Sequence, residues 1–427
     1  MTFDSFNLLL QTPGGEYFKG SVVDHLKSGN NVVVYLPDSL KAEVFLNSIN
    51  ETLLNSGISK MYIANAASYN GLPCLAALMA AQPEITRALC KRRFADYFKS
   101  GLDETLQVRA IANLDRFPAE SLVDIYAELL EANSVLRAHS SPNDPKGLRF
   151  LVILSPRFPP FPKMEGVVTL NWWAVITTVD HMTLFAKAIN SLKSKPTETM
   201  YLWLKSICRG VGDNDPWLIN ELVNRMPLEL STIADIIKNH PLYQLHFRTS
   251  KPQLFYHHEF LYSGISHEFP PPPQDDYHRN LWAQGLLNPG GLCSYHPVIL
   301  VQSESILKKL VISGQIHVYF PLVEKAKNTI FQIIESRLGE DVWKDYIFNE
   351  RVREEVLCEI GPLAYHLEHS IKPDDTHLSS LVKQMAHLAR AFSQLSHLSA
   401  HHMICQYSTL ERALKLYHDA EKYLDMS

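Results

Sequence analysis

Apolar runs alternate with amphipathic stretches through the first half of the chain. Continuous apolar runs predict buried strands at Val32–Tyr35, Lys60–Ala66 and Leu148–Pro156, because strands covered on both faces of a parallel sheet lose the polar–apolar alternation. The run Val167–Thr178 predicts either a fourth strand or a strand that leads into a further element. Apolar residues spaced three and four apart predict helices between them, most clearly at Ala119–Leu136. Strands alternating with helices indicate an α/β domain with a mainly parallel sheet.

The pattern changes to helices from Thr199 onward, where strand-like runs become rare. Phe269–Gln274 is rich in proline and predicts an extended linker. Beyond it, strand-like Pro297–Gln302 and Gln315–Phe320 flank a short predicted helix at Glu304–Leu310, which together predict a small winged-helix element. The remaining residues predict long helices.

These changes of pattern divide the chain into four predicted parts. We expect an α/β domain over residues 1–195, a helical lid-like segment over 196–250, a proline-rich linker over 251–275, and a mostly helical C-terminal domain over 276–427.

Composition narrows the class of protein. Of 427 residues, 46% are hydrophobic and 20% charged, and the net charge of -5 gives no overall attraction to nucleic acid. The six cysteines are scattered with no CxxC pair, which favours a reducing compartment. The first residues lack a signal-peptide pattern, and no uncharged apolar run reaches the roughly 20 residues that span a bilayer. We therefore expect a cytoplasmic protein without a membrane partner.

The strand–turn–helix stretch Asn30–Leu54 is where a nucleotide-binding fold would place its phosphate loop. Such a loop needs glycines that let backbone N–H groups converge on phosphate, followed by a lysine and a Ser or Thr. The sequence here is LPDSLKAE, so Ser39 and Lys41 are the only candidate phosphate contacts, while Asp38 would repel phosphate. The alternative is that Asp38 or Ser39 caps the helix that follows.

Acidic residues that would hold Mg²⁺ are also missing from the expected strand end. The run LVILSPRFPP ends in Ser155, Pro156 and Arg157, where a catalytic strand would end in carboxylates. Asp180, beyond the fourth apolar run, is either a solitary acid at a strand end or the cap of the next helix.

The order of these strands and helices, followed by a helical segment that contains GDNDPWLINEL (Gly212–Leu222), resembles the P-loop NTPase fold of the AAA+/STAND group over residues 15–250. The resemblance implies a helical lid after the sheet. Because the active-site motifs do not match, it implies a degenerate relative and carries over no catalytic residue. It further implies a scaffold or regulatory role in an assembly, such as those of bacterial signalling or anti-phage defence.

Histidines and basic clusters provide the remaining candidate sites. His397 and His401 are one helical turn apart and could bind a metal, although zinc would need a third ligand. The alternative is that both lie on an ordinary helix surface. Nucleic acid could contact Arg92 and Arg93, or Lys308–Lys309 in the winged element; the alternative is a solvated helix surface.

Nucleophile motifs such as GxSxG are absent from the sequence, and we predict no catalytic residue and no cofactor. The leading hypothesis is a non-catalytic scaffold or regulatory subunit of a cytoplasmic multi-protein assembly, whose partners are other protein subunits. The alternatives are an atypical ATP- or GTP-binding switch, which would use Ser39 and Lys41, and a DNA-associated adaptor that acts through the winged element.

Overall fold

The structure, a computed structural model, shows two compact units: residues 1–184 with 249–299, and residues 185–248 with 300–427. The residues that it describes are 5–36, 42–56, 60–65, 106–114, 117, 119–139, 147–155, 161–172, 177–212, 215–243, 281, 286, 296–343, 359–401 and 403–425.

A five-stranded parallel sheet forms the centre of the first unit, in the order β2-β3-β4-β1-β5. The strands are β1 (Asn31–Tyr35), β2 (Lys60–Asn65), β3 (Gln107–Ala112), β4 (Leu148–Leu154) and β5 (Val167–Asn171). Every residue of β1 is buried, and β1 pairs with β4 along one side and with β5 along the other.

The predicted fold class is confirmed: an α/β domain with a parallel sheet precedes a mostly helical region. Four strands lie where apolar runs predicted them, although the last ends at Asn171 and Thr178, the end of the predicted run, begins a helix. The sequence reasoning missed β3. In β3, Gln107 and Arg109 interrupt the apolar residues, so no continuous run marks the strand.

The helices of the first unit cover both faces of the sheet. They are α1 (Ser5–Leu10), α2 (Pro13–Lys27), α3 (Ala42–Asn55), α4 (Ala119–His139) and the start of α5 (Thr178–Asn190). From β1 the chain crosses towards β2, and from β3 it returns towards β4. Because such crossovers are right-handed, α3 and α4 lie on opposite faces. Phe18 of α2 packs on Phe45 of α3, with ring centroids 5.8 Å apart.

A buried asparagine pair fixes the amino end of the sheet. The Asn31 side chain donates to Oδ1 of Asn133 on α4 at 2.8 Å and accepts the N–H of Phe150 on β4 at 2.9 Å. Asn133 in turn donates to the carbonyl of Glu165, in the turn before β5. One connected set of hydrogen bonds therefore aligns β1, β4 and α4.

The second unit is built of helices around one long helix. Its elements are α6 (Glu198–Val211), α7 (Pro216–Arg225), α8 (Leu230–Lys238), α10 (Glu304–Leu338), a 3₁₀ turn (Glu340–Trp343), α11 (Ile360–His369), α12 (Thr376–Ala400) and α13 (Tyr407–Asp425); a short α9 (Pro297–Leu300) comes before α10. α10 packs against α6, α12 and α13.

The backbones of α6 and α10 cross at unusually close range. A Cβ atom added at Gly314 would lie 2.0 Å from the carbonyl oxygen of Ser206, and one added at Gly210 would lie 2.1 Å from that of Leu310. Only glycine fits at either position. Beside the crossing, the hydroxyl groups of Ser206 and Tyr319 lie 3.1 Å apart and share a hydrogen bond.

The predicted winged-helix strands are wrong. Pro297–Leu300 is a short helix, and the predicted strand Gln315–Phe320 lies inside the 35-residue helix α10. The buried positions Gln315, Val318 and Tyr319 have the spacing of one helix face, while Phe320 is exposed. Packing against α6 therefore overrides the β preference of these branched and aromatic residues.

Helix α10 is the only described helix that is long and apolar enough to cross a membrane by length and composition. Core helices pass the same test, and α10 packs within the second unit against α6, α12 and α13.

Candidate functional site

The candidate site is the position between the carboxyl ends of β1 and β4, which the strand order defines and which is called here the crevice between β1 and β4. In open parallel sheets, ligands bind at the carboxyl edge where successive connections leave in opposite directions. Here the chain leaves β1 towards β2 and leaves β4 in the opposite direction, towards β5. The ligand position expected from this rule therefore lies between the neighbouring strands β1 and β4. The Leu36 N–H donates to the Leu154 carbonyl at 3.1 Å, which continues the β1–β4 pairing to the edge of the crevice.

Aromatic side chains fill the space at the end of β1. The Tyr35 hydroxyl accepts the N–H of Phe161 at 2.7 Å, and Tyr126 of α4 packs edge-on against the Phe161 ring with centroids 5.1 Å apart. Burial raises the pKa of Tyr35 and of Tyr126, so both phenols stay neutral at physiological pH. This cluster offers packing and carries no charge that would bind phosphate or metal.

The described strand ends that border the crevice carry no acid. β1 ends at Tyr35, β4 at Leu154 followed by the buried Ser155, and β5 at Asn171. A magnesium site of the NTPase type would need a carboxylate here. The predicted phosphate contacts Ser39 and Lys41 lie outside the described residues, in the segment that joins Leu36 to α3.

Asp180 is enclosed by hydrogen-bond donors of the protein and is 1% exposed. Its Oδ1 accepts the Gly14 N–H at 2.5 Å, and its Oδ2 accepts the Thr177 N–H at 2.6 Å and the Thr177 hydroxyl at 2.7 Å. Burial raises its pKa, but the bonds from Gly14 and Thr177 lower it by more, and the net pKa lies below the ordinary value. These contacts favour the capping alternative, since an acid in the first turn of a helix commonly reaches back to the N-cap N–H.

His397 and His401 do come together at the end of α12. Their ring centroids are 4.1 Å apart, and both side chains are exposed. Within the part of the chain that the structure describes, no third His, Cys, Asp or Glu completes a metal-binding group with this pair. The arrangement could bind a divalent metal only through two ligands and solvent.

Of the basic candidates, the structure describes the two lysines. Lys308 and Lys309 are exposed on α10, and Lys308 pairs with Glu304 at 2.8 Å one turn earlier. Because the strands of the predicted winged element are helical, these lysines lie on a helix within a bundle. Arg92 and Arg93 lie outside the described residues.

A partly buried Asp–His pair in the second unit was not singled out from the sequence. Asp215 caps α7 by accepting the Leu218 N–H at 2.9 Å, and its second oxygen lies 3.0 Å from Nε2 of His240. Nδ1 of His240 accepts the Leu242 N–H at 3.1 Å, so the ring proton belongs on Nε2, where it points at Asp215. The pair joins the start of α7 to the end of α8.

Comparison with known proteins gives no family. No family profile matches the chain, and no curated protein matches it. Among solved structures, the chain resembles Drosophila ORC bound to DNA, with a TM-score of 0.27 and 10% identity over 97% of this chain and 72% of that one. For Drosophila ORC bound to GC-rich DNA and Cdc6 the TM-score is 0.24 with 8% identity, over 96% and 74%. The parallel sheet is consistent with an AAA+-like fold and indicates no particular family within it.

Proposed function

We propose that this protein is a non-catalytic scaffold or regulatory subunit of a multi-protein assembly, built on a P-loop-like α/β domain. The observation that carries the proposal is the crevice between β1 and β4. The sheet places it where a nucleotide would bind, yet its described border holds an aromatic cluster and no carboxylate. The sequence that joins Leu36 to α3, residues 37–41, contains no glycine.

Asp180 supports the same proposal. Its oxygens are occupied by Gly14 and Thr177, so binding a metal would require breaking hydrogen bonds that hold two helix starts. An acid used in this way contributes to stability and is a poor magnesium ligand.

Exposed aromatic side chains offer contact points for partners. Tyr17 on α2 is 71% exposed and Tyr365 on α11 is 62% exposed. Tyrosine is enriched at protein interfaces because it supplies a large contact area at low cost in conformational entropy. No described residue bears on the predicted role in bacterial signalling or defence, and the proposal is for the subunit role alone.

The proposal is tested by isolating the tagged full chain at native abundance and measuring the mass of its complex by light scattering after gel filtration. We expect a discrete particle much heavier than the 48.6 kDa chain, with other proteins in fixed ratio. A 48.6 kDa monomer that hydrolyses ATP, with activity lost in Lys41→Ala, would contradict the proposal and favour the nucleotide switch.

A further inference from the structure

A cavity of about 330 Å³ lies between α11 and α12, next to the turn that joins them. Its floor is apolar, formed by Leu367, Ile371, Val382 and Ala386. The volume is enough for one or two side chains of another molecule.

Cationic and polar side chains stand around this floor. Ser379, Lys383 and His387 follow one another at four-residue spacing along α12, so they form one stripe, and Lys372 stands opposite in the turn. Among the described residues, none of these four side chains has a hydrogen-bond or ion-pair partner.

The charge of the acid that lines the cavity is already balanced. Arg390 donates to both oxygens of Glu368, the one acid that lines the cavity, and the Nε bond measures 2.8 Å. Asp375 accepts the N–H groups of His377 and Leu378 at the start of α12. Among the described residues that line the cavity, Lys372 and Lys383 therefore carry positive charge without an ion-pair partner, while Asp374 and Asp375 belong to the same connection as Lys372 but do not line the cavity.

We propose that this cavity is a docking site for an acidic, partly apolar segment of a partner protein, an inference that rests on the proposed subunit role. A carboxylate of the segment would lie between Lys372 and Lys383, and a neighbouring apolar side chain would cover the floor. Lysine attracts carboxylates as a flexible point charge, while burial of the apolar side chain supplies affinity that a phosphate group or small inorganic anion cannot gain.

The test is selection of short random peptides from a display library against the full chain. We expect enrichment of peptides in which Asp or Glu adjoins Leu, Ile or Phe, and carbodiimide cross-linking of their carboxylates to Lys372 or Lys383. The Lys372→Glu/Lys383→Glu variant should weaken binding at least about tenfold, since two charge-assisted contacts become repulsive. The matched control is Lys308→Glu/Lys309→Glu on α10, which should bind normally.

Selected peptides without acidic residues, cross-links to other lysines, or equal binding by the Lys372→Glu/Lys383→Glu variant would each overturn the docking site. Both variants change exposed side chains, and matching circular dichroism would show that they are folded. The two proposals fail separately: a monomeric ATPase refutes the subunit role, whereas a chain found in a complex that selects no acidic peptide refutes only this site.

Discussion

The carboxylate of Asp180 accepts the backbone N–H of Gly14 at 2.5 Å, and the two residues are 166 positions apart in the sequence. The same carboxylate holds the first turn of α5 through Thr177. One acid therefore caps two helices of the first unit, one from the start of the chain and one that follows the sheet.

Replacing Asp180 with Ala should lower the free energy of unfolding of the first unit by about 3 kcal/mol, because the buried Gly14 N–H and two partly buried donors of Thr177 lose a charged acceptor. The control is Asp24→Ala: Asp24 is exposed on α2, and the change should stay within about 0.5 kcal/mol. Urea denaturation followed by circular dichroism measures both. Equal effects of the two substitutions would show that Asp180 is not a structural cap.

The lowered pKa of Asp180 predicts a pH dependence of stability. A carboxyl whose pKa is lower in the folded state stabilises the fold above its unfolded pKa of about 3.9, and this contribution is lost as the pH falls through the folded pKa. The stability difference between the native protein and Asp180→Asn should be constant near neutral pH and shrink below about pH 4. A difference that grows under acid would contradict the assignment.

Gly314→Ala should destabilise the second unit by about 3 kcal/mol or more, because the new methyl group would meet the Ser206 carbonyl and push α6 from α10. Gly20→Ala on α2 is the matched control: nothing lies within 4 Å of its added Cβ, so it should stabilise by about 0.5 to 1 kcal/mol. Hydrogen exchange read by mass spectrometry on peptides from α2, α6 and α10 separates the two effects. Unchanged protection in α6 and α10 of Gly314→Ala would contradict the close crossing.

Cys208 and Cys405 should resist alkylation in the folded protein. Burial raises the pKa of both thiols, that of Cys405 to about 12, and only the thiolate reacts. A variant that changes Cys74, Cys90, Cys293 and Cys358 to Ser isolates these two thiols. Iodoacetamide labelling at pH 8 should be slow without denaturant and rapid with it. Rapid labelling of the folded variant would mean that either thiol is accessible.

The His397–His401 pair should bind zinc weakly, since two ligands on an exposed helix end leave half of a tetrahedral site to water. Stoichiometric zinc would scarcely occupy so weak a site, so it should change the melting temperature of the native protein and of His397→Ala equally. A zinc-dependent rise that His397→Ala abolishes would contradict this and establish a metal site at the pair.

The sequence predicted features that depend on local pattern. The apolar runs of β1 and β4 indicated a buried parallel sheet, because strands covered on both faces lose the polar–apolar alternation and this is visible in the sequence. Gln107 and Arg109 interrupt the apolar run of β3, so this strand was not predicted. The β-branched residues of α10 favoured a strand at Gln315–Phe320, where packing imposes a helix. For Asp180 the capping alternative came from its place before a helix, but its bond to Gly14 depends on the folded chain.

The docking cavity could not be predicted from the sequence, because it too depends on the folded chain. The four-residue spacing of Ser379, Lys383 and His387 is visible in the sequence, but the opposing Lys372 and the engagement of Glu368 by Arg390 require the packing of α11 on α12. Residue spacing in the sequence predicts which side chains share a helix face, whereas a cavity between two helices also depends on how the second helix packs.

The central claim is that the crevice between β1 and β4 binds no nucleotide, and thermal unfolding in the presence of Mg²⁺ with ATP, ADP or GTP tests it most directly. A ligand present at one hundred times its dissociation constant stabilises the folded state by about 2.7 kcal/mol, which raises the melting temperature measurably. We predict no change with any of the three nucleotides. A concentration-dependent rise that is lost in Lys41→Ala would contradict the claim.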